Sequence, residues 1–259
     1  RRSSDLTDLV LQLRYVDALG LAGNLEAALA QARRAADAHP CAWPARRVLA
    51  LTLDQTGQDR KAAAALAEVM PFYGDYVNAQ REYAQRCWNA EQEAVAVAAL
   101  KRAIALKPAH VAVRLDLADL YQQQGRPKQA LPLCEAVLAK QPEHSRAHLL
   151  RGKALAGLGQ HEDAQEAFEA ALTAAPNDPA AYTELGFMLV NRQAWAEARP
   201  VLEKAVALRQ RRGDNGPATR VALVRTLCAL NKPAAARRAL EEAQRRGVNV
   251  PTQARTCLD

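Results

Sequence analysis

The five histidines are the first candidates for catalysis or metal binding, because imidazole transfers protons near neutral pH and ligates zinc. They are His39, His110, His144, His148 and His161. His144 and His148 are spaced to face each other one turn apart at a helix start, where solvated polar residues are common. This spacing favours polar residues near a loop over a metal site, and no metal ion is predicted.

No catalytic motif is present in the sequence. HExxH, GxSxG, a phosphate-binding loop and a GxGxxG that follows a strand are all missing. The pair Gly152-Lys153 has no upstream glycine at the required spacing, and carboxylates such as Glu241 have a basic residue four positions away, as in solvated helix faces. We therefore predict that the chain is not an enzyme and needs no cofactor.

The five cysteines, Cys41, Cys87, Cys134, Cys228 and Cys257, form no CxxC pair, and their odd number cannot close a complete disulfide framework. We expect most of them to be small core residues, with Cys257 a free thiol in the C-terminal tail. Cysteine usage therefore leaves the redox compartment open.

The composition indicates a helical protein. The chain has 259 residues, of which 49% are hydrophobic, 24% charged and only 5% aromatic, and alanine is abundant. Alanine has the best helix propensity, and the small number of glycines argues against many tight turns between strands. No apolar run is long enough to span a membrane, and residues 1–5 are not followed by the apolar segment of a signal peptide. The sequence therefore leaves open whether the protein is located in the cytoplasm or in the periplasm.

A 34-residue repeat organises the sequence. Units begin at residues 9, 43, 77, 111, 145, 179 and 217, with a four-residue delay before the last. The twentieth position is alanine in every unit: Ala28, Ala62, Ala96, Ala130, Ala164, Ala198 and Ala236. Position 8 is mostly small, and positions 11 and 24 are mostly apolar. Glycine at position 15 and proline at position 32 of four units mark helix ends. Each unit is therefore predicted to be an antiparallel helix pair that buries its apolar faces only by stacking.

This pattern of small, apolar and proline positions resembles the tetratricopeptide repeat (TPR). The resemblance is weakest at position 4, where only Tyr182 supplies the usual aromatic residue; the others are Gln12, Arg46, Gln80, Arg114, His148 and Arg220. Unit two also lacks its proline and carries Gly74 after Met70, Pro71 and Phe72. The resemblance implies an all-α, right-handed superhelical solenoid of seven helix-turn-helix repeats. We expect a lead-in or cap at residues 1–8, one domain at 9–250 and a tail at 251–259.

Positions 2, 5, 9 and 12 of each first helix share one side, which we call the groove face. The resemblance implies that this face lines a concave groove that holds a peptide or partner protein. The predicted contact residues are Arg47, Arg81, Gln85, Trp88, Asp119, Gln122, Arg146, Lys153, Phe187 and Arg225. Arg81, Arg146 and Lys153 could bind carboxylates of the partner, or could pair with acids of the face such as Asp116 and Asp119. Trp88 could be an anchor for the partner, or could fold onto the neighbouring unit.

Residues 209–246 hold ten basic and three acidic side chains, a net charge equal to the +7 of the whole chain. Such a segment suits an acidic partner or an anionic surface. The scarcity of aromatic residues argues against specific nucleic-acid binding.

The sequence thus predicts a non-enzymatic interaction scaffold. The alternatives are an adaptor segment of a larger enzyme or of a cell-envelope or polysaccharide-export assembly, and a binder of anionic surfaces or nucleic acid. The sequence leaves the oligomeric state open.

Overall fold

The computed structural model describes residues 2–255 and 257–258, with side chains described from residue 8 onward. These residues form fifteen α-helices, one short 3-10 helix and no strand. The first helices of the seven pairs are α1 (Arg2–Leu21), α3 (Trp43–Gln55), α6 (Val77–Asn89), α8 (Val111–Gln123), α10 (Ser145–Gly157), α12 (Pro179–Asn191) and α14 (Pro217–Ala229). The second helices are α2 (Leu25–Ala38), α4 (Asp59–Ala67), α7 (Glu93–Leu106), α9 (Pro127–Leu138), α11 (His161–Ala174), α13 (Trp195–Arg211) and α15 (Pro233–Arg245). The all-α fold and the seven helix pairs are as predicted.

Two helices depart from a regular array. The additional helix α5 (Met70–Tyr73) follows the shortened α4, at the point where unit two lacks its proline. The first helix, α1, begins at Arg2, so residues 2–8, expected as a lead-in, are part of that helix. The chain also divides into two compact units, which are larger than the repeat units described above. The first unit is residues 1–117 and the second unit is residues 118–259, and the boundary between them lies within α8.

The turn between the two helices of every pair contains one residue in the left-handed conformation. It is glycine in four pairs, for example Gly23 with φ of 78° and Gly159 with φ of 77°. Glu91, Gln193 and Asn231 occupy the same position in the other three pairs and have φ of 62°, 60° and 51°. Each turn therefore reverses the chain identically, and three of them do so without the residue best suited to positive φ.

In repeats two to seven, the residue at position 4 ties the first helix to the loop that precedes it. Arg114 Nε donates to the carbonyl of Pro108 at 2.8 Å, and His148 Nε2 donates to that of Pro142 at 2.6 Å. Tyr182, the one aromatic residue of the TPR type here, makes the equivalent bond to Pro176 at 3.3 Å. The same link is made by Arg46, Gln80 and Arg220. Position 4 thus needs a long donor that reaches a loop carbonyl, and arginine, glutamine and histidine meet that need.

Small residues at positions 8 and 20 allow the helices to approach closely. The alanines at position 20 from Ala28 to Ala236 are almost fully buried. At Gly152 a Cβ atom would lie 2.6 Å from the ring of Phe168, and at Gly186 it would lie 2.5 Å from Leu202 Cδ2. The core of the second unit is built around such contacts and includes Leu185 and Leu189.

The C-terminal tail covers the last helix pair. Val248, Val250 and Ala254 are buried against Val224 of α14 and Ala243 of α15. The 3-10 helix Thr252–Ala254 lies within this segment. The tail thus covers apolar surface of the seventh helix pair that stacked repeats otherwise bury against a neighbouring repeat.

The prediction of a free thiol at Cys257 is wrong, because Cys257 forms a disulfide with Cys228 of α14. These residues are 29 positions apart in sequence, and the tail brings them together by folding back onto the last helix pair. Cys87 and Cys134 are buried thiols, in agreement with the prediction, and Cys41 is exposed.

Candidate functional site

Each basic residue of the groove face in the first unit is paired with an acid of the neighbouring repeat. Arg47 Nε on α3 donates to both carboxylate oxygens of Glu82 on α6, at 2.9 and 2.7 Å. Arg81, at the equivalent position of α6, forms an ion pair with Asp116 of α8. Of the two roles predicted for Arg81, the pairing with an acid of the face is therefore the one observed. These pairs link successive first helices.

Gln85 and Trp88, also predicted on this face, lie one and two turns beyond Arg81 on α6. Gln85 is exposed, and its amide donates to Asn89 at 3.0 Å. Trp88 is half-buried. A role for Trp88 as an anchor for the partner stays a prediction.

A second kind of ion pair joins Asp54 of α3 to Arg86 of α6, and both side chains are mostly shielded from solvent. Burial raises the pKa of the Asp54 carboxyl above its usual value, and Arg86 acts in the opposite direction. The pair fixes the register between the two helices, since breaking it would leave a shielded charge without compensation.

In the second unit, three of the predicted contact residues come together at one cavity. Gln122 of α8, Lys153 of α10 and Phe187 of α12 line a cavity of about 230 Å³. The other lining residues are Gln123, Ala156, Phe168, Glu184, Met188 and Asn191. Gln122 Nε2 donates to the carbonyl of Leu150 at 3.1 Å, and Lys153 Nζ lies 3.5 Å from Glu184 Oε1. Three consecutive first helices thus contribute to one depression, which is lined by four apolar and five polar or charged side chains.

The remaining predicted residues of the second unit are also engaged within the chain. Arg146 of α10 lies 3.7 Å from Asp119 of α8 through its Nη2. Arg225 of α14 is exposed and lies over the ring of Trp195, 5.6 Å from its centroid. Asp119 and Arg146 thus form a link between repeats, as the alternative prediction has it.

Sequence reasoning named Asp116 among the acids that could hold these cations, but it did not identify Glu82 or Glu184. Glu82, Asp116 and Glu184 occupy position 6 of their units, beside the groove face as it was defined. A spacing of 35 residues from Arg47 to Glu82 and from Arg81 to Asp116 is one more than the repeat. A search for opposite charges at the repeat length plus one would have found both pairs.

Three of the five histidines, His110, His144 and His148, make hydrogen bonds within the chain. His110 and His144 have equivalent positions, and each accepts a hydrogen bond on Nδ1 from the backbone N–H three residues later, at 3.4 and 3.3 Å. Such contacts satisfy a donor at a helix start. Within residues 2–255 and 257–258, no group of three potential metal ligands is found. No helix among these residues is long and apolar enough to cross a membrane.

Much of the basic charge in residues 209–246 is engaged internally. Arg209 pairs with Asp214, and Arg245 and Arg246 both pair with Glu242. Arg220 is buried. With Arg212, which donates to the Asn177 carbonyl, and Arg225, which lies over Trp195, six of the ten cations make contacts within the chain.

Comparison with solved structures places the fold among TPR proteins. A tetratricopeptide repeat protein from Parabacteroides merdae superimposes with a TM-score of 0.74 at 14% identity, over 97% of this chain and 98% of its own. PilW, a type IV pilus biogenesis factor, has a TM-score of 0.69 at 18% identity, over 83% of this chain and 97% of its own. MamA has a TM-score of 0.56 at 21% identity, over 65% and 92%. No curated protein matches the sequence.

The sequence itself matches the family model for the tetratricopeptide repeat over residues 84–142, 115–179 and 149–217. These overlapping matches span residues 84–217, which is more than half of the 259 residues. The matched segment includes the helix pairs from α8 to α13. The chain belongs to the tetratricopeptide repeat family.

Proposed function

We propose that this protein is a non-enzymatic scaffold that binds a peptide or partner protein on its groove face. The principal contact is made at the cavity lined by Gln122, Lys153 and Phe187. This cavity carries the proposal because it unites predicted contact residues from three successive repeats of the second unit.

The size and lining of the cavity favour part of a polypeptide as the occupant. Drug-sized ligands and cofactors occupy pockets of about 300–1,000 Å³, and this cavity of about 230 Å³ is smaller. Phe187 and Met188 provide an apolar wall for one side chain of the occupant. The amides of Gln122, Gln123 and Asn191 offer donors and acceptors that match those of a peptide backbone.

Lys153 and Glu184 add charge at the rim. Each is about one third exposed, with side-chain exposures of 30% and 32%, and their charged atoms are 3.5 Å apart. A partly exposed pair of this length contributes little to stability, so it can exchange partners when a charged peptide binds. The arrangement accepts an acidic group beside Lys153 and a basic group beside Glu184.

The disulfide bears on where this binding takes place. Disulfides persist in oxidising compartments and are rare in the cytosol. Of the two compartments that the sequence left open, the Cys228–Cys257 bond favours the periplasm.

Selection from a phage-displayed library of random dodecapeptides tests the proposal. Synthetic versions of the enriched peptides are titrated against the whole chain by calorimetry. We expect Phe187→Ala to weaken their binding about tenfold or more, since truncating an aromatic anchor typically costs about 1–3 kcal/mol. Glu166→Ala is the control, because Glu166 is exposed on the second helix α11 and does not line the cavity.

The proposal fails if no peptide is enriched, or if the enriched peptides bind the Phe187→Ala variant and the wild type equally well. A melting temperature near that of the wild type must accompany the loss of affinity, so that unfolding is not mistaken for loss of a contact.

A further inference from the structure

The segment Met70–Gly74 is the sequence feature that the proposed function does not use. Here α4, the second helix of the second 34-residue repeat, ends at Ala67, and the four-residue helix α5 replaces its last turns. Because α4 is shortened, the space between it and α7 is left partly open. That space is a cavity of about 460 Å³ within the first unit.

The cavity lies away from the groove face. Ala67, Met70 and Pro71 line one side, and the α7 residues Val95, Ala98, Ala99 and Arg102 line the other. Gln80 and Tyr83 of α6 complete the lining. Tyr83, at position 7 of its repeat, lies on the opposite side of α6 from Arg81 and Trp88, and Gln80, at position 4, lies about 100° around the helix from Arg81.

Six of the nine lining residues are apolar, and four of those six are exposed. Val95 is 39% exposed, and Ala67, Pro71 and Ala98 are also exposed. Phe72, next to Pro71 in α5, is 62% exposed. Exposed large apolar side chains that gather at a concave surface mark interaction sites in proteins.

One cation, Arg102, lies in the lining and forms a solvent-exposed ion pair. Arg102 Nη2 lies 3.0 Å from Asp75 Oδ1. A Cβ atom on Gly74 would lie 2.8 Å from the Met70 carbonyl oxygen and 3.2 Å from Arg102 Nη2, so glycine lets the guanidinium lie against the backbone. Gln80 Nε2 fixes the same turn by donating to the Gly74 carbonyl at 2.7 Å.

Charge complementarity identifies the occupant. Arg102 is the only charged residue in the lining. The side chains of Arg102 and Asp75 are 59% and 82% exposed, so their pairing is weak and a carboxylate of a partner can replace Asp75. Guanidinium binds carboxylates in bidentate geometry.

We propose that this cavity is a second docking site, which takes a bulky apolar side chain of a partner peptide followed by an acidic residue. The apolar side chain lies between Met70 and Ala98, and the carboxylate binds Arg102. The site is independent of the groove face of the second unit, so one chain holds two segments of partner protein at once.

The two methionines of the chain allow the two sites to be observed separately. Met70 lines this cavity and Met188 lines the cavity of the second unit. Labelling both methyl groups with carbon-13 gives one NMR signal for each site in the intact protein. The probe is the blocked tripeptide acetyl-Leu-Phe-Asp-amide, and its comparison is the same peptide with asparagine in place of aspartate.

We expect the Met70 signal to shift and saturate with the aspartate peptide, which binds about fivefold more tightly than the asparagine peptide. Arg102→Gln removes this preference, whereas the matched control Lys101→Gln keeps it. Ala98→Trp fills the cavity and abolishes the shift, and Ala94→Trp, on the same helix but outside the lining, does not.

A Met70 signal that stays unmoved up to the solubility limit of the peptide overturns the proposal. Equal affinity of the wild type and Arg102→Gln for the aspartate peptide also overturns it. A shift of Met188 alone assigns peptide binding to the second unit and refutes the second site, so the two proposals fail separately. An unchanged Met188 signal in each variant shows that the second unit keeps its structure.

Discussion

Replacing Gly152 by alanine tests the packing that holds the second unit together. Gly152 lies in α10, where a Cβ atom would be 2.6 Å from Phe168 Cε1 and 2.7 Å from Cδ1. Ordinary contacts of a Cβ begin near 3.4 Å, so the ring must move by about 0.8 Å. Phe168 is 1% exposed and is the largest fully buried side chain of the described residues, so packed neighbours oppose that movement except where the ring borders the cavity of the second unit.

Two opposing effects determine the magnitude. Alanine is favoured over glycine in a helix by about 1 kcal/mol, and overpacking a buried position costs about 1–3 kcal/mol. We expect Gly152→Ala to lower the free energy of unfolding by about 1 kcal/mol, because a rigid ring cannot turn aside. Gly186→Ala should cost a comparable amount, because its Cβ would lie 2.5 Å from Cδ2 and 2.9 Å from Cγ of the fully buried Leu202.

Gly20→Ala is the matched control. Gly20 lies in α1, and the nearest atom to its Cβ would be Gln55 Oε1 at 3.9 Å. The same substitution should therefore raise the free energy of unfolding by about 0.5–1 kcal/mol. Urea denaturation followed by circular dichroism measures both changes. A gain in stability for Gly152→Ala equal to that for Gly20→Ala would refute the packing argument.

Three further predictions concern the cysteines and the C-terminal repeat. Replacing Cys257 by serine should destabilise the seventh repeat by about 3–4 kcal/mol, which is the chain-entropy value for a loop of 29 residues. Hydrogen exchange in α14 and α15 should become faster, and unchanged exchange would contradict this prediction. Iodoacetamide should modify only Cys41 rapidly in the oxidised protein, because burial raises the pKa of Cys134 to about 12 and also raises the pKa of Cys87. Mass spectrometry counts the adducts, and rapid modification of Cys87 or Cys134 would argue against their burial. A hydrogen bond from the Gly216 N–H and the neighbouring Arg209 lower the pKa of Asp214, so its carboxylate contributes stability above about pH 4 that is lost as the pH falls through the folded pKa. The difference in stability between the wild type and Asp214→Asn should therefore shrink on acidification, and a constant difference would refute this prediction.

Local physical rules carried the prediction of the repeats. Six first helices begin at the residues where the repeat units were placed, from Trp43 to Pro217. Helix propensity, glycine at the turns and proline at the ends act over a few residues, so they can be read along the chain. Even there, Glu91, Gln193 and Asn231 show that the left-handed turn persists without glycine, because the packed helix pairs impose it.

The sites depended on tertiary structure to a greater degree. The sequence placed Gln122, Lys153 and Phe187 on one face, but the cavity that joins them exists only because three helices stack. Whether Arg81 was available or paired depended on the distance to Asp116, 35 residues away.

The sequence by itself thus determined the helices, their pairing and the face that each presents, because these follow from neighbouring residues and a constant period. Tertiary structure alone decided the Cys228–Cys257 bond, the ion pairs between repeats and the cavity beside Met70. Each of these depends on where separate segments meet in space. The reason is that charge pairing, disulfide formation and cavity shape depend on distances of a few ångströms between residues far apart in the chain.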